Sequence, residues 1–149
     1  MAYETILIPL DGSERWQIAV DAALPLAKAF HSKVILCSVF DWAPERFGIY
    51  QEFPSHAEFA KAVRSHHEAV LNRAHQRLLS EGVEATTVLK EGQAAESIVE
   101  RASQVSADLI VMASHARKGV PRFFLGSVTD GVLRQSPCPV LVVRPAEGG

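Results

Sequence analysis

The sequence is poor in cysteine and in aromatic residues, and it has no long apolar run. Its two cysteines, Cys37 and Cys138, belong to no CxxC pair, which argues against a zinc site or a disulfide framework. Both are expected to be free, mostly buried thiols. No apolar stretch approaches the roughly 20 residues that a membrane-spanning helix needs. The protein is therefore expected to be neither disulfide-stapled nor membrane-embedded.

The numbers of positively and negatively charged residues are nearly equal. The net charge is −2, so general electrostatic attraction to DNA, RNA or anionic lipid is not expected. The start, MAYETILIPLDG, lacks the basic residues and the longer apolar stretch of a signal peptide, which favours a cytoplasmic protein. With 149 residues, 48% of them hydrophobic, the chain is expected to form one domain over residues 1–149.

Short apolar runs alternate with segments of helical period. Five strands are predicted, at residues 4–10, 33–40, 83–92, 107–113 and 138–145. Four helices are predicted, at residues 14–30, 57–81, 94–105 and 126–135. Ser13 is expected to cap the first helix and Gly82 to end the second, whereas residues 41–56 are predicted to be a long connection. This order indicates an α/β protein with an open, mostly parallel five-stranded sheet and helices on both faces.

Polar residues collect where these strands end. Asp11 follows the first strand, Ala113-Ser114-His115-Ala116-Arg117 follows the fourth, and Gly126-Ser127 opens the last helix. Open α/β sheets bind ligands at this edge, and a helix amino end favours an anion. Each feature also has a purely structural explanation: Asp11-Gly12 is a common turn, and the loop basic residues are often solvated. His115 could orient a phosphate or cap its own loop.

Three segments carry a resemblance to a known family. ILIPLDGSE, VILCSVFD and MASHARKG–LGSVTDGVLRQSPCPVLVV resemble the universal stress proteins, and the likeness covers the whole chain, with residues 41–60 variable. It implies an adenine nucleotide alpha-hydrolase-like fold with strand order 3-2-1-4-5. It also implies a homodimer formed through the last strand, Val140 to Val143. The residues favour the same pairing, because the apolar strand after Pro139 would otherwise be an uncovered edge. The alternative is that a loop or the EGG tail covers this edge.

The family's ATP-binding members share a Gly-x2-Gly-x9-Gly-Ser/Thr signature. Its positions fall here on Ala113, Ala116, Gly126 and Ser127, so the spacing is kept and two glycines are lost. By resemblance, Asp11 and Val39 would hold adenine and ribose. The implied ligand is ATP or AMP, with Mg²⁺ accompanying ATP. The full set of candidate binding residues is Pro9, Asp11, Val39, Ala113, His115, Ala116, Arg117, Gly126, Ser127 and Val128.

The two alanines leave three functions open. If Ala116 needs a positive φ, it costs roughly 1 kcal/mol relative to glycine, which is less than a tenfold loss of affinity. Nucleotide binding is therefore expected to be retained, with the alanines weakening it. The alternative is a dimeric interaction protein that binds no nucleotide. A slow ATP hydrolase using Asp11 or His115 is less favoured, because the sequence has no GxxxxGK[ST] loop and no cluster of acidic metal ligands.

Overall fold

The computed structural model describes residues 2–40, 56–114 and 125–145, in which five strands alternate with four helices. The strands are β1 (Thr5–Leu10), β2 (Lys33–Phe40), β3 (Ala85–Glu91), β4 (Leu109–Ala113) and β5 (Val140–Val143). The helices are α1 (Trp16–Phe30), α2 (His56–Ser80), α3 (Ala94–Gln104) and α4 (Ser127–Gln135). All nine predicted elements are thus confirmed. The predicted connection, as far as residue 55, lies outside the described residues.

The sheet is parallel throughout, and its order is β3-β2-β1-β4-β5. Leu7 of β1 pairs with Ile35 of β2 on one side and with Ile110 of β4 on the other. The predicted order 3-2-1-4-5 is therefore confirmed. From β1 the chain runs through α1 to β2, whereas from β4 it runs through α4 to β5 on the other side. Such a reversal opens a crevice between β1 and β4 at their carboxyl ends.

Helices cover both faces of this sheet. Ile6 and Ile8 of β1 pack in one core cluster with residues of α1 and α2, including Val20 and Leu78. Leu7 packs in the other cluster with residues of α3 and α4. Successive side chains of a strand point to opposite faces, so a strand covered on both faces must be apolar at nearly every position. This explains the continuous apolar run at the start of the chain.

The helix ends agree only in part with the sequence expectations. Ser13 does not cap α1: the helix begins at Trp16, and Arg15 is the N-cap residue. The Ser13 hydroxyl instead donates to Asp11 and accepts the Arg15 N–H at 3.2 Å, so it closes the turn before the helix. Gly82 does end α2 as predicted, with a φ of 77° and an N–H that donates to the Leu79 carbonyl at 3.0 Å.

The cysteines are free thiols, and they lie on the sheet face covered by α3 and α4. Cys37 is buried in β2, and burial raises the pKa of its thiol to about 11. Burial also raises the pKa of Cys138, which is partly buried. Both thiols therefore stay protonated near neutral pH and are poor nucleophiles. No helix in the described ranges is long and apolar enough to cross a bilayer.

Candidate functional site

A cleft opens at the carboxyl edge of the sheet, between the ends of β1 and β4. It holds about 590 Å³ of empty space, including its open mouth. Its lining comes from three strands, three helices and the segment that joins β1 to α1. The lining residues are Pro9, Leu10, Asp11, Arg15, Trp16, Ala19, Val39, Ala94, Ile98, Met112, Ala113, Val128 and Thr129.

The inner wall of the cleft is apolar. Val39, Ile98 and Met112 belong to the core cluster beneath α3 and α4, and each is less than a tenth exposed. Val128, at the start of α4, packs against the same cluster. A wall of this kind removes a flat apolar group from water without offering it a charge. Small-molecule sites commonly combine such a wall with a few polar groups at the rim.

Asp11 supplies a carboxylate at the rim, held in a defined orientation. Its Oδ1 accepts the backbone N–H of Ser13 at 2.9 Å and the Ser13 hydroxyl at 2.5 Å. Arg15 donates from Nη2 to Oδ2 at 2.8 Å. Burial by itself would raise the pKa of Asp11, but these hydrogen bonds and the Arg15 charge lower it from 3.8 to about 2. Asp11 is therefore an ionised acceptor throughout the physiological pH range.

The amino end of α4 forms the opposite side of the cleft. Gly126 precedes the helix with a φ of 94° and a ψ of 153°, a backbone conformation that is essentially restricted to glycine. Because glycine has no side chain, this N-cap residue offers no side-chain hydrogen bond to the N–H groups of the first turn. Thr129, only 3% exposed, lies in that turn and lines the cleft. First-turn N–H groups and the helix dipole favour an anion at such an end.

Two histidines of α2 pack behind the rim, against the chain on either side of Asp11. His66 Nε2 lies 2.7 Å from the Gly12 carbonyl oxygen, and His67 Nδ1 lies 2.6 Å from the Ser38 hydroxyl. His67 is buried. It shares a helical spacing with Val70, Leu71 and Leu78, which are also buried, and this spacing predicts its place on the inner face of α2.

The structure brings five of the ten candidate residues into the cleft wall. These are Pro9, Asp11, Val39, Ala113 and Val128. Gly126 and Ser127 directly precede Val128 in the chain. His115, Ala116 and Arg117 lie outside the described residues, as do Lys118 and Arg122.

Several wall residues were not anticipated from the sequence. Trp16 and Ala19 of α1 and Ala94 and Ile98 of α3 lie in predicted helices, but no motif marks them as site residues. Arg15 was also missed, although its charge stands four residues after Asp11, the spacing at which a helical or helix-like segment brings two side chains together. That spacing was the signal that could have identified the ion pair.

The chain is similar to known proteins over nearly its whole length. The model of the universal stress protein family matches residues 2–144. Universal stress protein MJ0531 of Methanocaldococcus jannaschii is 32% identical over 145 residues, which cover 95% of this chain and 82% of that protein. The solved structure of hypothetical protein MJ0577 is 30% identical, with a TM-score of 0.77, and the match covers 99% of this chain and all of that one.

A second solved structure is a universal stress protein in complex with cAMP. It is 28% identical with a TM-score of 0.69, and the match covers 97% of this chain and 98% of that one. Both structures align over nearly their full lengths, and their fold is the adenine nucleotide alpha-hydrolase-like fold implied by the resemblance. The family match, the curated relative and the sheet order agree: this chain belongs to the universal stress protein family.

Proposed function

We propose that the cleft binds an adenine nucleotide, ATP or AMP, and that the chain works as a homodimeric stress-response module in the cytoplasm. One observation carries the binding proposal: Asp11, after β1, and Val128, at the start of α4, line the same cleft although they are far apart in sequence. The cleft therefore offers a carboxylate acceptor at one side and a helix amino end at the other. A nucleotide has hydroxyl donors and an anionic phosphate to match them.

The base and ribose would occupy the side nearer Asp11. Ribose hydroxyls donate hydrogen bonds, and the ionised Asp11 carboxylate accepts them. Pro9 and Val39 offer apolar contact surface for the face of an adenine ring. Arg15, which is paired with Asp11, keeps that carboxylate charged, and it would have to share or release one oxygen when a ligand binds.

The phosphates would lie at the start of α4. Gly126, Ser127 and Val128 would present backbone N–H groups and the Ser127 hydroxyl to the anion. His115, Ala116 and Arg117, which precede this helix in the sequence, remain candidates for contact with the phosphates. Within the described ranges no group of three or more His, Cys, Asp or Glu side chains could hold a metal ion. A Mg²⁺ ion would enter together with ATP, bound to its phosphates.

The two alanines of the signature would weaken this site without removing it. Ala113 is the last residue of β4. It is half-buried and lines the cleft. Among the described non-glycine residues, positive φ occurs at His31 and Ser106, so Ala113 carries no such backbone strain. The cost at this position is the volume of one methyl group. Ala116 would add roughly 1 kcal/mol if its φ is positive.

A relative supports the ligand class. The universal stress protein in complex with cAMP is 28% identical to this chain and aligns along nearly its full length. Its ligand combines an adenine base with ribose and phosphate, the three groups for which the cleft has suitable partners. That support extends to adenine nucleotides as a class, and the choice of ATP or AMP comes from the signature spacing.

The homodimer is proposed through β5. This strand pairs with β4 on one side and is the last strand of the sheet on the other. Leu141 is 39% exposed on it. An unpaired apolar edge readily pairs with another strand, and a second copy of the same strand would cover it.

The second candidate is a dimeric interaction protein that binds no nucleotide, and the Ala113 methyl in the cleft wall favours it. Calorimetric titration with AMP, ATP and ATP–Mg²⁺, together with thermal melts, separates the two. A ligand at a hundred times its Kd stabilises the fold by about 2.7 kcal/mol. If none of these nucleotides gives a heat of binding or raises the melting temperature, the result would favour the interaction protein.

Variants identify the site, and a kinetic assay tests the hydrolase. Asp11→Asn should weaken binding, whereas Asp21→Asn should not, because Asp21 lies on α1 and pairs with Arg77 at 2.9 Å. Equal effects of both variants would place the ligand elsewhere. Steady phosphate release that disappears in Asp11→Ala and in His115→Ala would revive the slow ATP hydrolase.

A further inference from the structure

Two consecutive residues of α2 hold the chain around Asp11, here called the Asp11 segment, residues 10–13. His66 lies with its Nε2 2.7 Å from the Gly12 carbonyl oxygen, which only a ring N–H can satisfy. His67 reaches the other end of the segment indirectly, through Ser38 of β2. Its Nδ1 is 2.6 Å from Ser38 Oγ, and that hydroxyl donates to the Leu10 carbonyl at 3.0 Å.

The contacts of Ser38 lead to an assignment of the protons on His67. Ser38 is fully buried and has a single O–H, which we assign to the Leu10 carbonyl at 3.0 Å. With that assignment, the Ser38 oxygen accepts a hydrogen from His67 Nδ1. A neutral imidazole has one N–H, so His67 Nε2 carries no hydrogen in this arrangement.

The ring of His67 also packs tightly against Gly12. A Cβ atom at Gly12 would lie 3.0 Å from His67 Cε1 and 3.2 Å from His67 Nε2, and the φ of Gly12 is +86°. The bare nitrogen therefore borders the space that a side chain at Gly12 would occupy. A movement of the ring into that space would press on Gly12, the residue that follows Asp11.

We propose that His66 and His67 are positioning residues that hold Asp11 in place for the ligand of the cleft, and that protonation of His67 weakens binding there. The inference rests on the proposed nucleotide-binding function for its ligand. Its structural half, the coupling of His67 to the Asp11 segment, can be measured without any ligand.

The surroundings of His67 explain why its protonation should weaken binding. From β2 it meets Ser38 and the ring of Phe40, whose centroid is 5.7 Å away. Among described residues the charged groups acting on it are His66, on its own helix, and Asp11. Burial, and then the charge of His66, lower the pKa of His67, while Asp11 raises it. The site as built therefore favours neutral His67.

A proton on Nε2 would create a donor that competes for Gly12 and Asp11, described acceptors that other groups already use. The Gly12 carbonyl already accepts from His66. The charged ring would have to compete for that oxygen, turn toward Asp11, or leave its contact with Gly12. Each of these moves displaces the Asp11 segment, so acid should lower the affinity of the cleft.

The structural half is tested by NMR titration of the ligand-free protein. We expect the Gly12 amide and the His67 Cε1 proton to shift with the same midpoint, below the ordinary histidine value of 6.5. The Ala85 amide, near His75 on the same helix, should not follow that midpoint. A Gly12 amide that ignores the His67 titration would overturn the inference, and this measurement needs no variant that might fail to fold.

The ligand half is tested with AMP between about pH 7.5 and about pH 5.5, a range that brackets the usual histidine pKa. His67→Asn keeps a donor near the position of Nδ1 but cannot titrate. We expect the affinity of the unaltered protein to fall more than that of His67→Asn, by a further factor on the order of fivefold. Because AMP itself loses phosphate charge near pH ~6, the difference between the two proteins is the quantity compared.

A matched control lies on the same helix. His75 bonds the Ala85 carbonyl at 2.9 Å and lies away from the Asp11 segment, so His75→Gln should keep the pH profile of the unaltered protein. If His67→Asn also keeps that profile, the inference is wrong while nucleotide binding stands. If AMP and ATP fail to bind at every pH, the proposed function is wrong and the ligand half of the inference falls with it.

Discussion

A Cβ atom placed on Gly131 of α4 would lie 2.8 Å from the Cβ atom of Ala95 on α3. Real Cβ contacts are essentially never that short, so the two helices cross here at a distance that only glycine permits. Ala94 and Ile98 of α3, with Val128 of α4, line the cleft next to this crossing. The contact between Ala95 and Gly131 therefore sets the spacing of two walls of the candidate site.

Replacing Gly131 by alanine should destabilise the protein although alanine is the better helix former. Helix propensity would contribute about 1 kcal/mol in its favour, whereas overpacking costs typically about 1–3 kcal/mol. We expect a net loss of roughly 1 kcal/mol in the free energy of unfolding, measured by urea denaturation. The double variant with Ala95→Gly should recover most of that loss. Additive effects of the two substitutions would show that the helices are not in close contact.

The hydrogen bonds at Asp11 predict a pH-dependent contribution to stability. Its pKa is about 2 in the folded protein against 3.8 ordinarily, so the unfolded state binds more protons between these values. The stabilisation is therefore fully present above the higher pKa and is lost as the pH falls toward the lower one. Asp11→Asn should melt at a lower temperature than the unaltered protein at about pH 6, and the gap should narrow below about pH 4. A gap that stays constant on acidification would contradict the pKa assignment.

Most of the fold could be predicted because the sheet is buried on both faces. A strand such as β1, with Ile6, Leu7 and Ile8 all fully buried, must be apolar throughout, and this makes it visible in the sequence. The start of α1 was less predictable. Asp11, Ser13 and Arg15 bond one another, and such local side-chain bonds compete with helix capping in a way that residue type alone does not reveal.

The candidate site could be predicted at its strand ends but not behind them. Asp11 and Ala113 follow apolar runs directly, so their place at one sheet edge follows from the parallel topology. The packing of His67 on Gly12 depends on how α2 lies across β2 and β3, which no short-range pattern encodes. The same holds for Ala94 and Ile98, which reach the cleft only through the crossing of α3 and α4.

The proposed dimer gives a prediction at Leu141, which is 39% exposed on β5. Leu141→Lys should shift the protein from dimer to monomer in sedimentation velocity, because a lysine in an apolar strand pairing loses hydration. Leu79→Lys is the matched control, since Leu79 is similarly exposed, at 46%, but lies on α2. An unaltered chain that sediments as a monomer, or equal effects of the two lysines, would argue against pairing through β5.

Gly126 and Gly82 both have a positive φ but differ in location, so together they test the role of the α4 amino end. Their φ values are 94° and 77°, in the region that L side chains rarely adopt, so alanine at either should cost about 1 kcal/mol or more of stability. Gly82 lies at the end of α2, where an added Cβ would meet nothing within 4 Å. Only Gly126 precedes the helix whose first turn lines the cleft. Gly126→Ala should therefore also weaken AMP binding. We expect a loss of roughly fivefold or more if the strain caused by the alanine moves the first-turn N–H groups of α4.

Calorimetric titration of both variants, with urea denaturation of each, separates the two effects. Gly82→Ala should lose stability and keep its affinity for AMP, because the strain there is remote from the cleft. If both variants bind AMP as the unaltered protein does, the phosphate is not held by the amino end of α4. If both lose affinity in proportion to their lost stability, the effect on binding comes from global unfolding and the local role of Gly126 is wrong. A loss of affinity confined to Gly126→Ala is the result that the geometry of the cleft requires.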